Sequence, residues 1–278
     1  MATPTPLRLM AVLAHPDDES LGLGGTLARS FAEGVETFLV TATLGERGRF
    51  HGERDGPGHP GPEALGRLRE GELRAAAAVL GVRELSLLGY RDQELDRAEP
   101  AEAISLIAHH IRRVRPQVVV TFPPDGAYGH PDHIAISQFA TAATVRAADA
   151  ASPVGDGPDD LRPHAVSKLY YMAWPASTWA AYQQAFKTLI SRVDGVERQA
   201  VPWPDWAITT MIDTRAHWPT VWRAVSCHET QVAVYAQLQE LAPEHHEALW
   251  GQQAFYRAFS TVNGGRRREE DLFDGLRG

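Results

Sequence analysis

Cysteine is nearly absent: Cys227 is the single thiol in 278 residues. One thiol forms no intramolecular disulfide and builds no cysteine-rich zinc site. A fold stapled by cross-links is excluded, and the low count fits a reducing, cytoplasmic setting. Long apolar runs are missing too. No stretch approaches the ~18 apolar residues that a transmembrane helix needs, so no membrane partner is expected. The opening MATPTPLRLMAVLAH has no basic region ahead of a long apolar one and reads as a first strand, not a signal peptide. Basic charge is not in excess. A formal net charge of −8 argues against a nucleic-acid partner, and Arg266, Arg267 and Arg268 are offset by Glu269, Glu270 and Asp271. Gly22, Gly24 and Gly25 lack both the G-x-G-x-x-G spacing and a Walker lysine, which favours close helix packing over a phosphate loop.

What is present suits a single soluble domain. Hydrophobic residues make up 44% and charged residues 22%, ordinary values for a globular chain long enough to bury its own core. Residues 7–14 (LRLMAVLA) and 117–122 (QVVVTF) are nearly continuous apolar runs, as in strands buried on both faces, while 35–43 (VETFLVTAT) is β-rich and a shorter strand is expected at 84–88. Between them, helices are expected at 20–33, 63–80, 101–114 and from 130 to about 150. Residues 45–62 are polar, glycine-rich and aperiodic, hence a loop. The β-α-β-α rhythm predicts a Rossmann-like three-layer α/β/α sandwich on a mostly parallel sheet, with a C-terminal extension. Residues 151–163 read as a linker. Beyond them, strands are expected at 166–174 and 207–213, and 218–241 is expected to be mostly helical. The predicted organisation is one domain over 1–278. It has a core at 7–150, a substrate-shaping part at 164–262 and a solvated or partly disordered tail at 263–278.

The chemistry concentrates at two strand ends. AHPDDE (residues 14–19) follows the first strand, and HPDH (130–133) follows the QVVVTF strand. In open α/β sheets, ligands bind outside the carboxyl ends of strands. His15 and Asp18 lie three residues apart across a strand-to-helix turn, which brings an imidazole nitrogen and a carboxylate oxygen within reach of one ion. Pro16 stiffens that turn. A catalytic zinc site takes three protein ligands and leaves one position for water. His15, Asp18 and one histidine of HPDH complete that count, leaving Asp17 beside the water and the other histidine to stabilise charge.

These motifs, with LGLGGTLA after the first, TLGERG (43–48), LREGELRAAAAVLGV (68–82), GYRD (89–92) and SCHETQ (226–231), resemble the PIG-L/LmbE-like zinc-dependent N-deacetylases from about residue 8 to 232. The resemblance implies His15, Asp18 and His133 as zinc ligands, with iron(II) as a competing ion. It implies Asp17 as general base, and His130 as the group that stabilises the oxyanion or protonates the leaving amine. It also implies Tyr128, Arg69, Asp92 and Glu46 as substrate-site residues. The expected reaction removes the acetyl group from a GlcNAc-type glycoside, a small-molecule partner, in a chain left open to assembly as a homo-oligomer. Alternatives are an amidase for thiol S-conjugates with the same metal site, and a non-catalytic sugar- or nucleotide-binding protein.

Several residues invite plainer readings. Cys227 reads as a small buried hydrophobe. His228 stands between a site role and helix packing. His109 and His110 read as surface or packing residues of a helix, and His245 and His246 as solvated. The tryptophans, all between Trp174 and Trp250, read as core and loop anchors before a sugar platform. Without the resemblance, Arg69 would be taken to pair with Glu70 or Glu72 on its own helix.

Overall fold

Strands whose side chains are buried on both faces need cover on both faces, and the chain supplies it by alternating strand and helix. A computed structural model describes residues 6–54, 56–153, 161–186, 190–193, 195–199, 201–233, 236–262 and 267–277. In chain order its elements are β1 (Arg8–Leu13), α1 (Asp18–Leu21), α2 (Gly24–Ala32), β2 (Glu36–Thr43), α3 (Pro62–Val79), β3 (Glu84–Tyr90), α4 (Pro100–Val114), β4 (Val118–Thr121), α5 (Gly126–Gly129) and α6 (Pro131–Ala148). They continue with β5 (Lys168–Ala173), α7 (Ala176–Phe186), β6 (Ile190–Val193), β7 (Val196–Gln199), β8 (Thr210–Asp213), α8 (Trp218–Ser226), α9 (Glu229–Val232), α10 (Ala236–Gln239), α11 (Pro243–Trp250) and β9 (Gln252–Ser260).

The main sheet runs β3-β2-β1-β4-β5-β9-β8. Its first five strands are parallel, while β9 lies antiparallel between β5 and β8. Helices α2, α3 and α8 pack together as one layer, and α4 packs with α6 as the other, giving the expected three-layer α/β/α sandwich. The chain steps from β1 outward to β2 and β3, then crosses back to place β4 on the other side of β1. The C-terminal ends of β1 and β4 are therefore neighbours where the strand order reverses, the usual ligand crevice of such sheets.

Local chemistry accounts for several departures from the predicted elements. The expected 20–33 helix breaks between α1 and α2. Its glycines serve packing: a Cβ on Gly24 would lie 3.2 Å from Val221 of α8, and one on Gly25 would lie 2.7 Å from Thr214. The expected 218–241 helix is interrupted at Cys227 and His228, where His228 takes non-helical angles (φ −83°, ψ 59°). Strand β9 carries no clean polar alternation and escaped prediction; the chain turns straight into it from α11.

The tail needs correction. Residues 263–266 and 278 lie outside the described residues, as do 154–160 of the expected linker. Leu272 and Phe273, however, are buried in the main core. Glu269 is buried as well and accepts hydrogen bonds from Lys168 Nζ (2.8 Å), Arg257 Nη1 (2.6 Å), Tyr170 Oη (2.7 Å) and Thr210 Oγ1 (2.7 Å). The charged composition of the tail hid this anchor, because a glutamate in an acidic run gives no sign that a buried lysine waits for it on β5. His246 is likewise not solvated. It is buried, stacks on Trp222 and Trp250, and its Nε2 lies 2.7 Å from the Leu238 carbonyl.

Burial opposes charge on Glu269, but the donors Lys168, Thr210 and Tyr170 outweigh it and hold the carboxyl below the usual range. A depressed folded pKa means that this stabilisation is full at neutral pH and fades as pH falls through the folded value. Glu269→Ala strands the Lys168 ammonium in the core, so urea denaturation at pH 7 should show a loss of about 3–5 kcal/mol. The deficit should shrink as pH is lowered through the depressed folded pKa of the wild-type carboxylate, where that group itself takes up a proton.

Candidate active site

The first functional turn begins where β1 ends. Residue Asp17 is held at φ 92°, ψ −23°, a left-handed conformation that costs a non-glycine residue on the order of 1–3 kcal/mol unless its surroundings enforce it. They do. Its N–H donates to Glu19 Oε2 (3.0 Å), and its Oδ2 accepts from Arg69 Nη2 (3.1 Å). One residue on, Asp18 Oδ2 accepts the N–H groups of His15 (2.8 Å) and Ala14 (3.2 Å). The second functional turn opens α6, with His130 as its N-cap, Nδ1 accepting from the Asp132 N–H at 3.2 Å.

These turns bring donor atoms of three residues together, Asp18 facing the two imidazoles with different carboxylate oxygens. His15 Nδ1 is 3.1 Å from His133 Nε2, 3.7 Å from Asp18 Oδ2, and His133 Nε2 is 3.6 Å from Asp18 Oδ1. An ion bound tetrahedrally by ~2.0–2.1 Å bonds separates its ligand atoms by about 3.3 Å, so the spacing fits. The other ring nitrogens are committed. His15 Nε2 faces Asp132 Oδ2 at 3.1 Å and Asp92 Oδ1 at 3.2 Å, and His133 Nδ1 faces the Gly126 carbonyl at 3.3 Å. With protons on those outer nitrogens, the two inner ones turn lone pairs toward each other, a pairing that calls for a cation between them. Among the described residues, two other triads also bring one atom each within reach of a common ion: His15, His130 and His133, and His15, Asp92 and Asp132. The carboxylates of the second also accept backbone N–H groups, Asp92 from Arg47 (3.0 Å) and Asp132 from Gln93 (2.7 Å) and Leu95 (3.2 Å). That makes them orienters of the imidazole.

The electrostatics follow from this crowding. Burial works against a charged His15, but the Asp132, Asp92 and Asp18 carboxylates outweigh it and push its pKa up to about 10. Burial pushes Asp18 up to about 7. Burial and the neighbouring His15 charge push His130 down to about 4 and hold His133 well below the usual imidazole value. Asp92 falls to about 2, because contact with His15 and the Arg47 N–H overcomes its burial.

The residues expected at the substrate separate into two groups. Tyr128 lines the cavity, its ring 5.3 Å from that of His133 and 5.9 Å from that of His130. Arg69, Asp92 and Glu46 instead sit behind the machinery. Arg69 lies on the buried stripe of α3 between Leu65 and Leu73, where its guanidinium donates to the Pro16 carbonyl (2.6 Å), the Gly45 carbonyl (2.7 Å) and Asp17. It does not pair with Glu72, which accepts from Thr230 N and Oγ1. Gly45 explains TLGERG: it sits at φ 61°, and a Cβ there would fall 2.0 Å from Arg69 Nη1. Glu46 Oε1 accepts the Asp92 N–H at 2.9 Å. Sequence reasoning assigned no role to Asp132, fully buried under His15, although it stood inside the HPDH motif. Nor did it foresee the buried contact of Glu19 with His228, whose partners lie 209 residues apart.

In front of Asp17, Asp18 and His133 opens a cavity with roughly 830 Å³ of empty space, continuous with solvent. Tyr128 and the two acids supply polarity at one end. The remaining wall is mostly apolar: Leu21, Phe122, Trp174, Trp179, Trp203 and Val201. Some tryptophans therefore anchor the core, as Trp250 does with no exposed surface, while three face the cavity.

A crevice at a sheet reversal, a buried His/Asp cluster and an adjacent carboxylate define an α/β enzyme that cleaves its substrate with water. The chain matches the PIG-L family, GlcNAc-PI de-N-acetylase, over residues 10–144. It is 36% identical to a 1D-myo-inositol 2-acetamido-2-deoxy-alpha-D-glucopyranoside deacetylase of Thermomonospora curvata, with 99% of this chain and 98% of the relative covered. A protein of the same description from Rhodococcus jostii is 37% identical, with coverage of 97% and 98%. Among solved structures, a conserved protein from Thermus thermophilus has a TM-score of 0.64 at 26% identity, covering 92% of this chain and 97% of that one. The chain belongs to the PIG-L family and is an N-deacetylase. No helix among the described residues is long and apolar enough to cross a membrane.

The Gly45 cradle is directly testable. Gly45→Ala should push Arg69 off Asp17 and lower kcat by about 10–100-fold, in line with the sensitivity of catalysis to ångström-scale misplacement. Steady-state kinetics on folded protein, verified by circular dichroism, measures this.

Proposed function

We propose that this chain hydrolyses the N-acetyl group of a GlcNAc-type glycoside, with a GlcNAc-inositol as the favoured substrate. Inner donors of His15, Asp18 and His133 would hold the metal, zinc being favoured and iron(II) the competitor. The observation carrying this reading is the 3.1–3.7 Å convergence of those donors on the cavity that Asp17 also lines. The inositol preference rests on the names of relatives similar along the whole chain.

A divalent ion held by these donors would supply an acidified water and polarise the amide carbonyl. Asp17, steadied by Arg69, accepts the proton of the attacking water and passes it to the amide nitrogen as the C–N bond breaks, releasing the free amine and acetate. His130 acts as the oxyanion donor: its Nδ1 is occupied by the Asp132 N–H, so its neutral ring carries the proton on Nε2. Tyr128 donates its hydroxyl to the same carbonyl oxygen. Asp132 and Asp92 keep His15 in the tautomer that offers Nδ1. Arg69, Asp92 and Glu46 serve the reaction through Asp17 and His15, and the sugar is recognised by the groups at the cavity mouth.

A second reading is favoured by the apolar wall. Amidase action on a thiol S-conjugate would use the same donors and seat an apolar substituent against Trp174, Trp179 and Trp203. Acetate release from N-acetylglucosaminyl inositol, compared with amine release from an aromatic S-conjugate, separates the two; activity on neither would overturn both.

Two further outcomes follow. Asp17→Asn should retain metal, measured by plasma mass spectrometry, and lose about 10²–10⁴-fold in kcat. His15→Ala should lose the metal itself. At neutral pH the metal-free His15 is protonated, since its pKa lies near 10, so metal binding must displace that proton. Zinc affinity should therefore rise with pH across about 6–9, with at least one proton released per ion in calorimetry run in buffers of differing ionisation enthalpy.

A further inference from the structure

The SCHETQ segment has no place in the reaction as described, yet its contacts converge on the general base. His228 and Glu19 are both completely buried, and His228 Nε2 lies 2.8 Å from Glu19 Oε1. That same carboxylate oxygen accepts from Ser20 Oγ at 2.5 Å, while the other, Oε2, accepts the Asp17 N–H at 3.0 Å. Glu19 therefore spans from His228 to the backbone of the one residue in α1's approach that is held at φ 92°. The segment around His228 is itself clamped. Thr230 donates to Glu72 of α3, on the same helix as Arg69 (2.7 and 2.8 Å), the His51 N–H donates to the Thr230 carbonyl (2.8 Å), and Gln231 Nε2 donates to the Arg49 carbonyl (2.6 Å).

We infer that His228 and Glu19 are positioning residues for Asp17: the chain between α8 and α9 fixes, through one buried carboxylate, the left-handed backbone that aims the base. The Asp17 carbonyl accepts the Ser20 and Leu21 N–H groups of α1 (3.1 and 2.9 Å), while its side chain and its N–H are held from elsewhere. Arg69 holds its carboxylate, and Glu19 holds its N–H. Without the Glu19 grip, the turn relaxes toward ordinary backbone angles and rotates the Asp17 carboxylate away from the reacting water. The ligand Asp18 is anchored separately, by the N–H groups of Ala14 and His15, so metal retention and base alignment are separable. This inference rests on the reading of Asp17 as general base.

The test replaces the pair together. Glu19→Met with His228→Leu removes both buried charges and strands neither, an exchange that is often neutral for stability. In the zinc-loaded full chain acting on N-acetylglucosaminyl inositol, kcat should fall about 10–100-fold. KM should change less than about twofold, with metal content and melting temperature preserved. In an Asp17→Asn background the same pair of substitutions should change residual kcat less than about twofold, because a group acting through Asp17 has nothing left to act on. Undiminished kcat in the double variant, loss of its metal, or losses that multiply in the Asp17→Asn background would each overturn the inference. The Asp17→Asn chain alone separates the two claims. If it turns over normally, the base assignment fails; if it is inactive while the Glu19/His228 variant is native-like, only the positioning role fails.

Discussion

Everything at this site depends on how one imidazole is oriented. The Nε2 of His15 faces two carboxylate oxygens at 3.1 and 3.2 Å, and these come from different parts of the chain. Asp92 follows β3 and Asp132 opens α6. Their grip fixes the ring at the end of β1 and leaves Nδ1 pointing toward His133 and Asp18. It also ties the outermost parallel strand to the strand-order reversal, so the same contact closes the fold around the crevice. The carboxylates are themselves pinned by the N–H groups of Arg47, Gln93 and Leu95. Such oxygens cannot follow a bound ion or substrate, which makes them good orienters and poor mobile ligands.

Negative charge is the corresponding constraint. Asp17, Asp18, Asp92 and Asp132 crowd a region where Arg69 is a fixed cation, in direct contact with Asp17. The elevated pKa values of His15 and Asp18 express the same fact: without an ion, the cluster lowers its charge by keeping protons. A bound divalent cation would relieve the repulsion more fully than protons do, letting one pocket concentrate acids that otherwise repel. The αL turn at Asp17 belongs to the same balance, because backbone strain stored there is sustained by Arg69 on one side and Glu19 on the other.

The sequence carried the architecture well where burial was two-sided. Runs such as LRLMAVLA and QVVVTF read as central strands because nothing polar interrupts them, and the two His/Asp motifs could be placed at their ends. The structure clusters His15, Asp18 and His133; spacing points to His15, Asp18 and one histidine of HPDH, and the family resemblance to His133. Contacts that depend on where a side chain points after folding stayed hidden. Arg69 looked like a helix-surface arginine, and only its place in line with Leu65 and Leu73 marks it as inward-facing. Asp132 stood in plain view within HPDH, but residue spacing does not tell that the first turn of α6 aims it beneath β1. Glu19 and His228 are separated by most of the chain. Glu269 sat in a charged run that composition marks as solvent-facing, and its burial follows from Lys168, whose charge would otherwise be stranded in the sheet.

The division of the cavity follows from the same physics. Groups that must hold charge or aim a proton are fixed by backbone hydrogen bonds at the strand ends, so they are not free to adapt to different substrates. Variation is left to the opposite wall, where Trp174, Trp179 and Trp203 are supplied by the chain that follows β5. Those elements complete the antiparallel edge of the sheet, while the donors around His15 come from the parallel half. The wall is therefore built separately from the fixed groups around His15. A mostly apolar wall beside a polar reaction centre favours a substrate with one end rich in hydroxyls or amide and another face able to stack, and a sugar ring, whose C–H face lies opposite its hydroxyl edge, meets both demands.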